Sequence, residues 1–427
     1  MSFILSWSWA LLGFLVFTIL VHAVFMPVFA EQFTDNMTAV KPLFWGSCIC
    51  YFIVGWFMIS ERRLPYANNF EVLASTAFVL TCLLLLFLAA AREFYSGTYL
   101  AIFLGFQWLW FGLEVYFRNH FISYRFLAFP TAFTLTAEDF PEHDVSFAAD
   151  PEAFTLDGFD AVIVDFNSEL NTAWMASLAQ CQNAGIPIIP LNAFLENAWG
   201  RIPLETSNFA VLAFSASFRP YLVIKPMMER LAAGIALILA APVLFAAALM
   251  VKCTSRGPAL FRQSRVGLDN KPFTIYKLRT MRDGSEQLGA YATTENDERL
   301  TRIGSFLRKY HIDELPQLLN VVKGDMAIVG PRPETTELTE LYAKHIKGYR
   351  LRNAMRPGVT SWALIHQGNV SGIEATKIKL SYDLYYLKHV SSFLDFYIIL
   401  KTLWVMLIGI ETLKSPTSLK IFTKDTQ

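Results

Sequence analysis

Residues 231–251 read LAAGIALILAAPVLFAAALMV, an apolar run of 21 residues without a charged side chain. By length alone such a run crosses a bilayer, because an α-helix needs about 20 residues to cover roughly 30 Å of hydrocarbon. Pro242 stands in the middle, however, and cannot donate the helical hydrogen bond to the carbonyl of Ile238. Each half is then too short to cross. The pattern predicts a helix, a break and a second helix that enter and leave the same leaflet.

Basic residues flank this run on both sides. Lys225 and Arg230 precede it, and Lys252 and Arg256 follow it. Because positively charged flanks stay on the cytoplasmic side, both ends are expected there, which predicts a re-entrant helix over 226–252. The alternative is a kinked helix that spans the bilayer and places everything after Lys252 outside.

A last apolar stretch, Phe393–Ile410, is interrupted by Asp395 and Lys401. Charges at that spacing suit a helix that lies in the membrane interface better than one that crosses it.

The composition agrees with a membrane protein. The 427 residues are 54% hydrophobic and 17% charged, whereas soluble domains are about a quarter charged. This excludes a disordered chain and a disulfide-stapled scaffold. The 36 basic residues balance 36 acidic ones, so net charge gives no sign of polyanion binding, and no nucleic-acid partner is predicted.

Cys48 and Cys50 lie in an apolar run and are predicted to be buried hydrophobic residues rather than metal ligands.

The first quarter of the chain contains four further apolar runs without charge. Each has about 19 or more residues, which predicts four transmembrane helices over 1–117. The runs are Ser2–Ala30, Pro42–Ser60, Val72–Ala91 and Phe94–Leu113. A cleaved signal peptide is the alternative for the first run, but no positive charge precedes it. The second connection and the exit of the fourth run carry the most arginine, which predicts that both ends of this unit, and the residues after it, are cytoplasmic.

Residues 118–221 alternate short apolar runs with amphipathic ones, which predicts βαβ units and a Rossmann-like domain. The predicted strands are Arg125–Phe129, Ala161–Asp165 and Pro187–Pro190, with a helix over Asn171–Ala184. The first turn has no glycine and G-x-G-x-x-G is absent, so no dinucleotide site is predicted. Asp165 is interpreted as a turn residue, and the domain as a regulatory or dimerisation module.

The chemistry concentrates between Lys252 and Arg356, where 19 basic residues outnumber 12 acidic ones. Phe261–Gly267 and Tyr276–Met281 predict a strand pair with Lys and Arg on one face. The centre is Asp313-Glu314-Leu315-Pro316-Gln317-Leu318-Leu319-Asn320. Since Pro tolerates the first turn of a helix, the two carboxylates are expected just before a helix N-terminus.

Adjacent carboxylates among arginines suit Mg²⁺ together with an anionic phosphate. Basic side chains can neutralise charge that develops on a transferring phosphoryl group, and a carboxylate can act as nucleophile through an acyl-phosphate. A helix-capping Asp beside a solvated Glu fits the same residues equally well.

Residues 222–412 closely resemble the bacterial sugar transferase family, specifically the monotopic phosphoglycosyl transferases that make polyprenyl-linked hexose phosphates. The matching strings are Lys277-Leu278-Arg279-Thr280-Met281, Asp313-Glu314-Leu315-Pro316-Gln317, Gly330-Pro331-Arg332-Pro333 and Arg356-Pro357-Gly358-Val359-Thr360. The four leading helices and the middle domain look like the long-form members. Tyr382-Asp383-Leu384-Tyr385-Tyr386 is similar to members associated with exopolysaccharide clusters.

The resemblance implies that Asp313 attacks the β-phosphate of a UDP-sugar and releases UMP. Glu314 would help to hold Mg²⁺ with Asp313, or accept a proton from undecaprenyl phosphate, which then attacks the phosphosugar-enzyme. The implied phosphate ligands are Lys277, Arg279, Arg308 and Arg332, with Arg262 and Arg265 as phosphate or lipid-headgroup contacts. The fold implied is a mixed α/β catalytic domain on the cytoplasmic side of the bacterial inner membrane, followed by a tail at 413–427. A homodimer is expected, and the reaction would start exopolysaccharide synthesis.

Three positions depart from the family pattern. Ser361 stands where glycine is common, His311 where a small hydroxyl residue is usual, and Ala241 before Pro242 where serine is common. Alternative functions are a polysaccharide exporter or flippase, a non-catalytic membrane scaffold, and a conventional glycosyltransferase that releases UDP. No residue identifies the sugar.

Overall fold

The computed structural model describes most of the chain. The described residues are 2–20, 37–60, 84, 87–88, 97–121, 124–130, 140, 144–151, 158–168, 170–204, 220–254, 257–281, 299–368 and 370–408. The chain divides into two compact units, Met1–Phe194 and Leu195–Gln427. The predicted boundaries after residues 117, 221 and 412 stay predictions.

Helices occupy three of the four predicted N-terminal runs. They are α1 (Ser2–Leu20), α2 (Met37–Ser60) and α3 (Gly97–Phe121). The third run, 72–91, lies outside the described residues except for positions 84, 87 and 88. The helices share an aromatic core, and the Tyr51 hydroxyl of α2 donates to the Ala10 carbonyl of α1 at 3.0 Å. Cys48 and Cys50 are buried, as predicted, whereas a transmembrane position for these helices stays a prediction.

The second half of this first unit is a four-stranded parallel sheet in the order β2-β1-β3-β4. Its strands and helices are β1 (Arg125–Ala128), β2 (Asp144–Phe147), β3 (Ala161–Val164), α4 (Thr172–Asn183), β4 (Ile188–Pro190) and α5 (Leu191–Trp199). The three predicted strands and the predicted helix are confirmed. Strand β2 was missed because it lies at the sheet edge and only Val145 is buried, so it has no apolar run. Asp165 accepts a hydrogen bond from the Asn167 amide at 3.0 Å, which is the turn role predicted for it.

The run around Pro242 forms one continuous helix, α6 (Pro220–Thr254). The predicted break is therefore wrong. Pro242 removes one backbone hydrogen bond, but the backbone on both sides keeps helical geometry, since a helix can bend at proline rather than end there. Among the described residues, Tyr221–Thr254 is the only helix long and apolar enough to cross a membrane.

Helix α6 belongs to the second unit and packs against the rest of it on both sides of Pro242. On the N-terminal side, Ala233 packs with Val321 and Met326. On the C-terminal side, Ala247 and Val251 pack in a second cluster with Leu278 and Leu307. The intervening large side chains are exposed, and Phe245 retains 75% of its accessible surface. The same folded unit therefore packs against both halves of the helix, and no other part of the described chain covers its apolar outer face.

The basic flank at Lys225 is not a surface feature. The Lys225 ammonium is 4% exposed and donates to Asp395 at 2.5 Å and to Glu229 at 2.7 Å. Asp395 is not an exposed charge either, because its carboxylate also accepts from the hydroxyls of Tyr221 and Tyr386, both at 2.6 Å. An interfacial position for the stretch Phe393–Ile410 stays a prediction. The two charges were misread because they pair across 170 residues.

The remainder of the second unit is a mixed α/β fold. Its elements are β5 (Leu260–Val266), β6 (Pro272–Leu278), α7 (Arg302–Lys309), α8 (Gln317–Lys323), β7 (Ala327–Val329), α9 (Thr336–His345), β8 (Gly358–Thr360), α10 (Trp362–Gln367), α11 (Ile373–His389) and α12 (Ser392–Ile408). Strands β5 and β6 form an antiparallel hairpin, whereas β7 and β8 pair in parallel.

Gly330 and Gly358 explain why two of the sequence motifs contain glycine. A Cβ atom on Gly358 would lie 2.1 Å from the Gly330 nitrogen, and one on Gly330 would lie 2.4 Å from the Arg356 carbonyl oxygen. The ends of β7 and β8 approach so closely that neither position has room for a side chain.

Candidate active site

The register of the β5–β6 hairpin divides the basic residues between two faces. Lys277 is opposite Phe261 and Arg265 is opposite Phe273, which puts both cations on the same face. Arg262 is opposite Tyr276 and therefore belongs to the other face. Its guanidinium is exposed and lies 5.8 Å from the centre of the Tyr276 ring. The prediction that these residues share one face holds for Lys277 and Arg265 but not for Arg262.

The two adjacent carboxylates are presented by a short 3₁₀ turn, Ile312–Glu314, between α7 and α8. His311 precedes the turn in the left-handed conformation, at φ 53° and ψ 22°. The residue that departs from the family pattern here therefore also adopts a backbone conformation that is uncommon for residues other than glycine. Helix α8 begins after Pro316 and has no side-chain cap, so the capping interpretation of Asp313 is wrong.

Asn320 fixes α8 against the strand that carries Lys277. Its side chain accepts from the Tyr276 amide at 3.1 Å and donates to the Thr274 carbonyl at 2.7 Å. The residue is fully buried. The central motif extends to Asn320, but sequence reasoning gave this residue no role. A polar side chain in an otherwise apolar turn of α8 was the available signal.

Glu314 is held by two cations. Lys277 Nζ lies 2.8 Å from Oε1, Arg332 Nη2 lies 2.5 Å from Oε1, and Arg332 Nη1 lies 3.1 Å from Oε2. Burial alone would raise the pKa of Glu314, but Arg332 and Lys277 outweigh burial and hold that pKa well below its usual range. Glu314 is therefore an ionised carboxylate at neutral pH.

Asp313 lies in a different environment. It is 6% exposed, and within the described part of the chain its carboxylate has no hydrogen-bond partner. Burial, followed by the charge of Glu314, raises the pKa of Asp313 to about 6, against the opposing effect of Lys277 and Arg308. The two neighbouring acids are thus pushed apart in pKa, which is the pattern of carboxylates with different chemical roles.

A small open cavity adjoins Glu314, because two of the residues that line it, Lys277 and Arg332, bond that carboxylate. It is lined by Arg265, Ile275, Lys277, Arg332 and Pro333. Three of the five side chains are cationic and none is acidic, so the cavity suits an anionic ligand such as a phosphate.

Of the other predicted phosphate ligands near the carboxylate pair, only Arg265 lines the cavity. Arg308 donates through Nε to the Thr280 hydroxyl at 2.8 Å and acts on Asp313 electrostatically. Arg279 is buried directly after β6 and is not among the residues that line the cavity. Arg265 lines the cavity and also donates to the Pro333 carbonyl at 3.1 Å. The structure therefore brings together Asp313, Glu314, Lys277, Arg332 and Arg265, with Arg308 beside them.

The donor set fits Mg²⁺ only together with a substrate. Among the described residues, no group of three or more His, Cys, Asp or Glu side chains forms a metal cage. Mg²⁺, however, takes one or two carboxylates and completes its shell with phosphates and water. Among the described residues nothing hydrogen-bonds the Asp313 carboxylate, so its oxygens are available for such an ion, whereas Glu314 would have to exchange one of its contacts with Lys277 or Arg332.

Ser361, the other departure, has a local structural role. Its hydroxyl caps α10 by accepting from the Leu364 amide at 3.0 Å. A serine cap in place of the usual glycine explains the substitution without involving the carboxylate pair.

Comparison with known proteins supports membership of the bacterial sugar transferase family. The profile of the family described as bacterial sugar transferase matches residues 220–409. The chain is 39% identical over 252 residues to UDP-N-acetylgalactosamine-undecaprenyl-phosphate N-acetylgalactosaminephosphotransferase of Aeromonas hydrophila, covering 59% of this chain and 60% of that protein. It is 40% identical over 174 residues to UDP-glucose:undecaprenyl-phosphate glucose-1-phosphate transferase of Escherichia coli K12, covering 40% and 38% of the two chains.

A third relative is covered almost completely. The exopolysaccharide production protein PSS of Rhizobium leguminosarum is 39% identical over 187 residues, which are 42% of this chain and 94% of that protein. The chain therefore belongs to the bacterial sugar transferase family, and the resemblance carried by the motifs is confirmed. The matched region spans only 60% and 38% of the Aeromonas and Escherichia relatives, so the activity of the whole protein is a proposal.

Proposed function

We propose that this protein transfers a hexose-1-phosphate from a UDP-sugar to undecaprenyl phosphate. The observation that carries the proposal is the contrast within the carboxylate pair. Asp313 is buried and, among the described residues, has no hydrogen-bond partner, whereas Glu314 beside it is bonded by two of the cations that line the cavity. A carboxylate that accepts no hydrogen bond from its described neighbours is available as a nucleophile toward a phosphate bound by those cations.

The reaction proceeds in two displacements. An Asp313 oxygen attacks the β-phosphorus of the UDP-sugar, the bond from that phosphorus to the bridging oxygen breaks, and UMP leaves with the bridging oxygen. A phosphate oxygen of undecaprenyl phosphate then attacks the same phosphorus and displaces the Asp313 carboxylate. The product is undecaprenyl diphosphate sugar, and the enzyme is restored.

Lys277, Arg332 and Arg265 bind the diphosphate through the cationic side of the cavity and neutralise charge during both displacements. Mg²⁺, held by Asp313 and Glu314 with the substrate phosphates, would supply further charge neutralisation. The low pKa of Glu314 makes it a weak base, which favours a role in orienting Lys277 and Arg332 over one in proton transfer.

The membrane placement belongs to the same proposal. The rest of the second unit packs against α6 on both sides of Pro242, which supports a re-entrant helix whose two ends face the cytoplasm. A water-soluble UDP-sugar and a lipid phosphate at the headgroup level of the same leaflet then meet at one boundary. Four transmembrane helices, the Rossmann-like middle domain and a homodimer complete the proposed architecture, and the product would start exopolysaccharide synthesis.

The identity of the transferred sugar does not follow from the comparisons, because relatives at 39% and 40% identity are named for N-acetylgalactosamine and for glucose. A panel of UDP-sugars assayed for nucleotide release resolves it.

The test uses the purified full-length chain with UDP-sugar, undecaprenyl phosphate and Mg²⁺. We expect UMP release and a lipid-linked sugar phosphate, and transient labelling of the protein by a UDP-sugar with a radioactive β-phosphate. Asp313→Asn should abolish both, whereas Asp269→Asn, an exposed position in the hairpin turn, should preserve both. Release of UDP would indicate a conventional glycosyltransferase. UMP release at a near wild-type rate from Asp313→Asn would exclude Asp313 as nucleophile.

A further inference from the structure

The backbone of the segment Pro331-Arg332-Pro333-Glu334 is held in place by hydrogen bonds to its carbonyl groups. Its two prolines have no amide proton, so they cannot donate a backbone hydrogen bond. Each of the four carbonyl groups accepts a hydrogen bond from another part of the chain. Pro331 accepts from the Gly358 amide at 3.0 Å, and Glu334 accepts from the Val266 amide at 2.9 Å.

The two central carbonyls are bonded by guanidinium groups. The Arg332 carbonyl accepts from Arg352 Nη2 at 2.8 Å, and the Pro333 carbonyl accepts from Arg265 Nη1 at 3.1 Å. Arg265 also lines the cavity, whereas Arg352 does not, and it is only 2% exposed. Arg352 therefore contacts the segment from inside the protein.

Arg352 is itself held by one acid. Asp383, in α11, is 1% exposed, and its Oδ2 accepts from Arg352 Nε at 2.8 Å and lies 2.8 Å from Nη2. The same Nη2 thus contacts both the Asp383 carboxylate and the Arg332 carbonyl. A continuous path of short contacts leads from Asp383 through Arg352 to the backbone of the residue whose side chain binds Glu314.

We propose that Arg352 and Asp383 are positioning residues for the phosphate-binding arginine of this site. They fix the backbone of Arg332, so that its guanidinium meets Glu314 and the cavity in one orientation. This inference rests on the proposed function, and it gives a role to the Tyr382–Tyr386 stretch that the sequence singled out without one.

A purely structural ion pair is the competing explanation, since removing one partner of a buried pair destabilises any fold. The experiment therefore measures the equilibrium binding of UDP, which carries the diphosphate without the sugar, together with Tm in the full-length chain. Binding needs no turnover, so its outcome is independent of whether the proposed transfer reaction is correct.

The decisive variant is the double substitution Arg352→Met with Asp383→Leu. Replacing both charges by apolar groups of similar size avoids an unpaired buried charge, so Tm should stay near the wild-type value. The donor to the Arg332 carbonyl is nevertheless lost, and we expect UDP binding to weaken about tenfold. Wild-type UDP affinity in this variant would overturn the proposal.

Arg352→Lys serves as the second variant in case the double substitution does not fold. It keeps a buried charge beside Asp383 but cannot bond the carboxylate and the Arg332 carbonyl with one rigid fork. Weaker UDP binding is again expected, and unchanged binding would count against the proposal. Glu196→Gln is the matched control, because it loosens the contacts of Glu196 with Lys388 and His389 away from this segment and should change Tm without changing UDP affinity.

Discussion

Both terminal nitrogens of Arg332 bond the Glu314 carboxylate, at 2.5 Å to Oε1 and 3.1 Å to Oε2. This bidentate contact fixes the plane of the guanidinium as well as its position. It also leaves the neighbouring acid, Asp313, as the member of the pair without a hydrogen-bond partner in the described part of the chain. The roles proposed for the two carboxylates rest on this difference, to which the contact of Lys277 with Glu314 also contributes.

The first prediction concerns pH. In the proposed reaction Asp313 attacks phosphorus only when ionised, and its pKa is raised to about 6. Activity should therefore be full above that value and fall as the pH drops through about 6, rather than near the usual range of an aspartate around 4. The measurement is the pH profile of UMP release at low UDP-sugar concentration.

Glu314→Gln provides the control for this assignment. The charge of Glu314 raises the pKa of Asp313, and its removal also frees Lys277 and Arg332 to act on Asp313. The acidic limb of the residual activity should move to lower pH. A limb that stays in place or moves upward would show that another group controls it.

The second prediction concerns the shape of the Arg332 side chain. Arg332→Lys keeps the charge but loses the two parallel hydrogen bonds to Glu314. We expect the KM for the UDP-sugar to rise about tenfold, because lysine would also offer the substrate phosphate fewer hydrogen bonds than the guanidinium, and one hydrogen bond to a charged group contributes roughly 1.5 kcal/mol or more. Arg302→Lys, at an exposed position in α7, should leave the KM unchanged. An unaltered KM in Arg332→Lys would mean that charge alone suffices.

The third prediction concerns His311, two residues before Asp313. Its left-handed conformation at φ 53° favours glycine and strongly disfavours a β-branched residue. His311→Gly should retain Tm and activity. His311→Val should cost about 1–2 kcal/mol of stability and reduce UMP release, because the strained turn sets the position of Asp313. Equal activity of the two variants would show that the backbone at this position does not control the site.

Local patterns predicted much of the fold and of the site. The strands β1, β3 and β4 follow from short apolar runs, and the position of Asp313 and Glu314 before a helix follows from Pro316. These features depend on neighbouring residues alone.

Contacts between distant residues could not be predicted in the same way. Glu314 meets Lys277 across 37 residues and Arg332 across 18, and nothing in the local pattern states which cations it selects. Nothing in the sequence near Arg352 or Asp383 indicates that the two form a buried ion pair, since each resembles a surface charge until the chain has folded. Helix α6 was misjudged for another reason, because proline weakens a helix without always ending it.

The fourth prediction concerns the Lys225–Asp395 pair, which joins the start of α6 to α12. Lys225→Met leaves a buried carboxylate without its cation and should destabilise the second unit by about 3 kcal/mol or more. Adding Asp395→Asn should recover part of this loss, because the amide oxygen can still accept from one of the two tyrosine hydroxyls, Tyr221 or Tyr386, while the amide nitrogen donates to the other. Thermal unfolding of the detergent-solubilised chain measures both effects. Additive losses in the double variant would contradict a direct pairing.

The fifth prediction concerns the side of the membrane on which α6 ends. Cys253 lies just beyond the apolar run and is exposed, whereas Cys48, Cys50 and Cys181 are buried. In a Cys82→Ser background, Cys253 becomes a reporter for a membrane-impermeant maleimide. If the helix is re-entrant, the thiol reacts in inside-out vesicles but not in spheroplasts, while a permeant maleimide labels both. Labelling in spheroplasts would place the carboxylate pair and its cations outside, where no UDP-sugar reaches them.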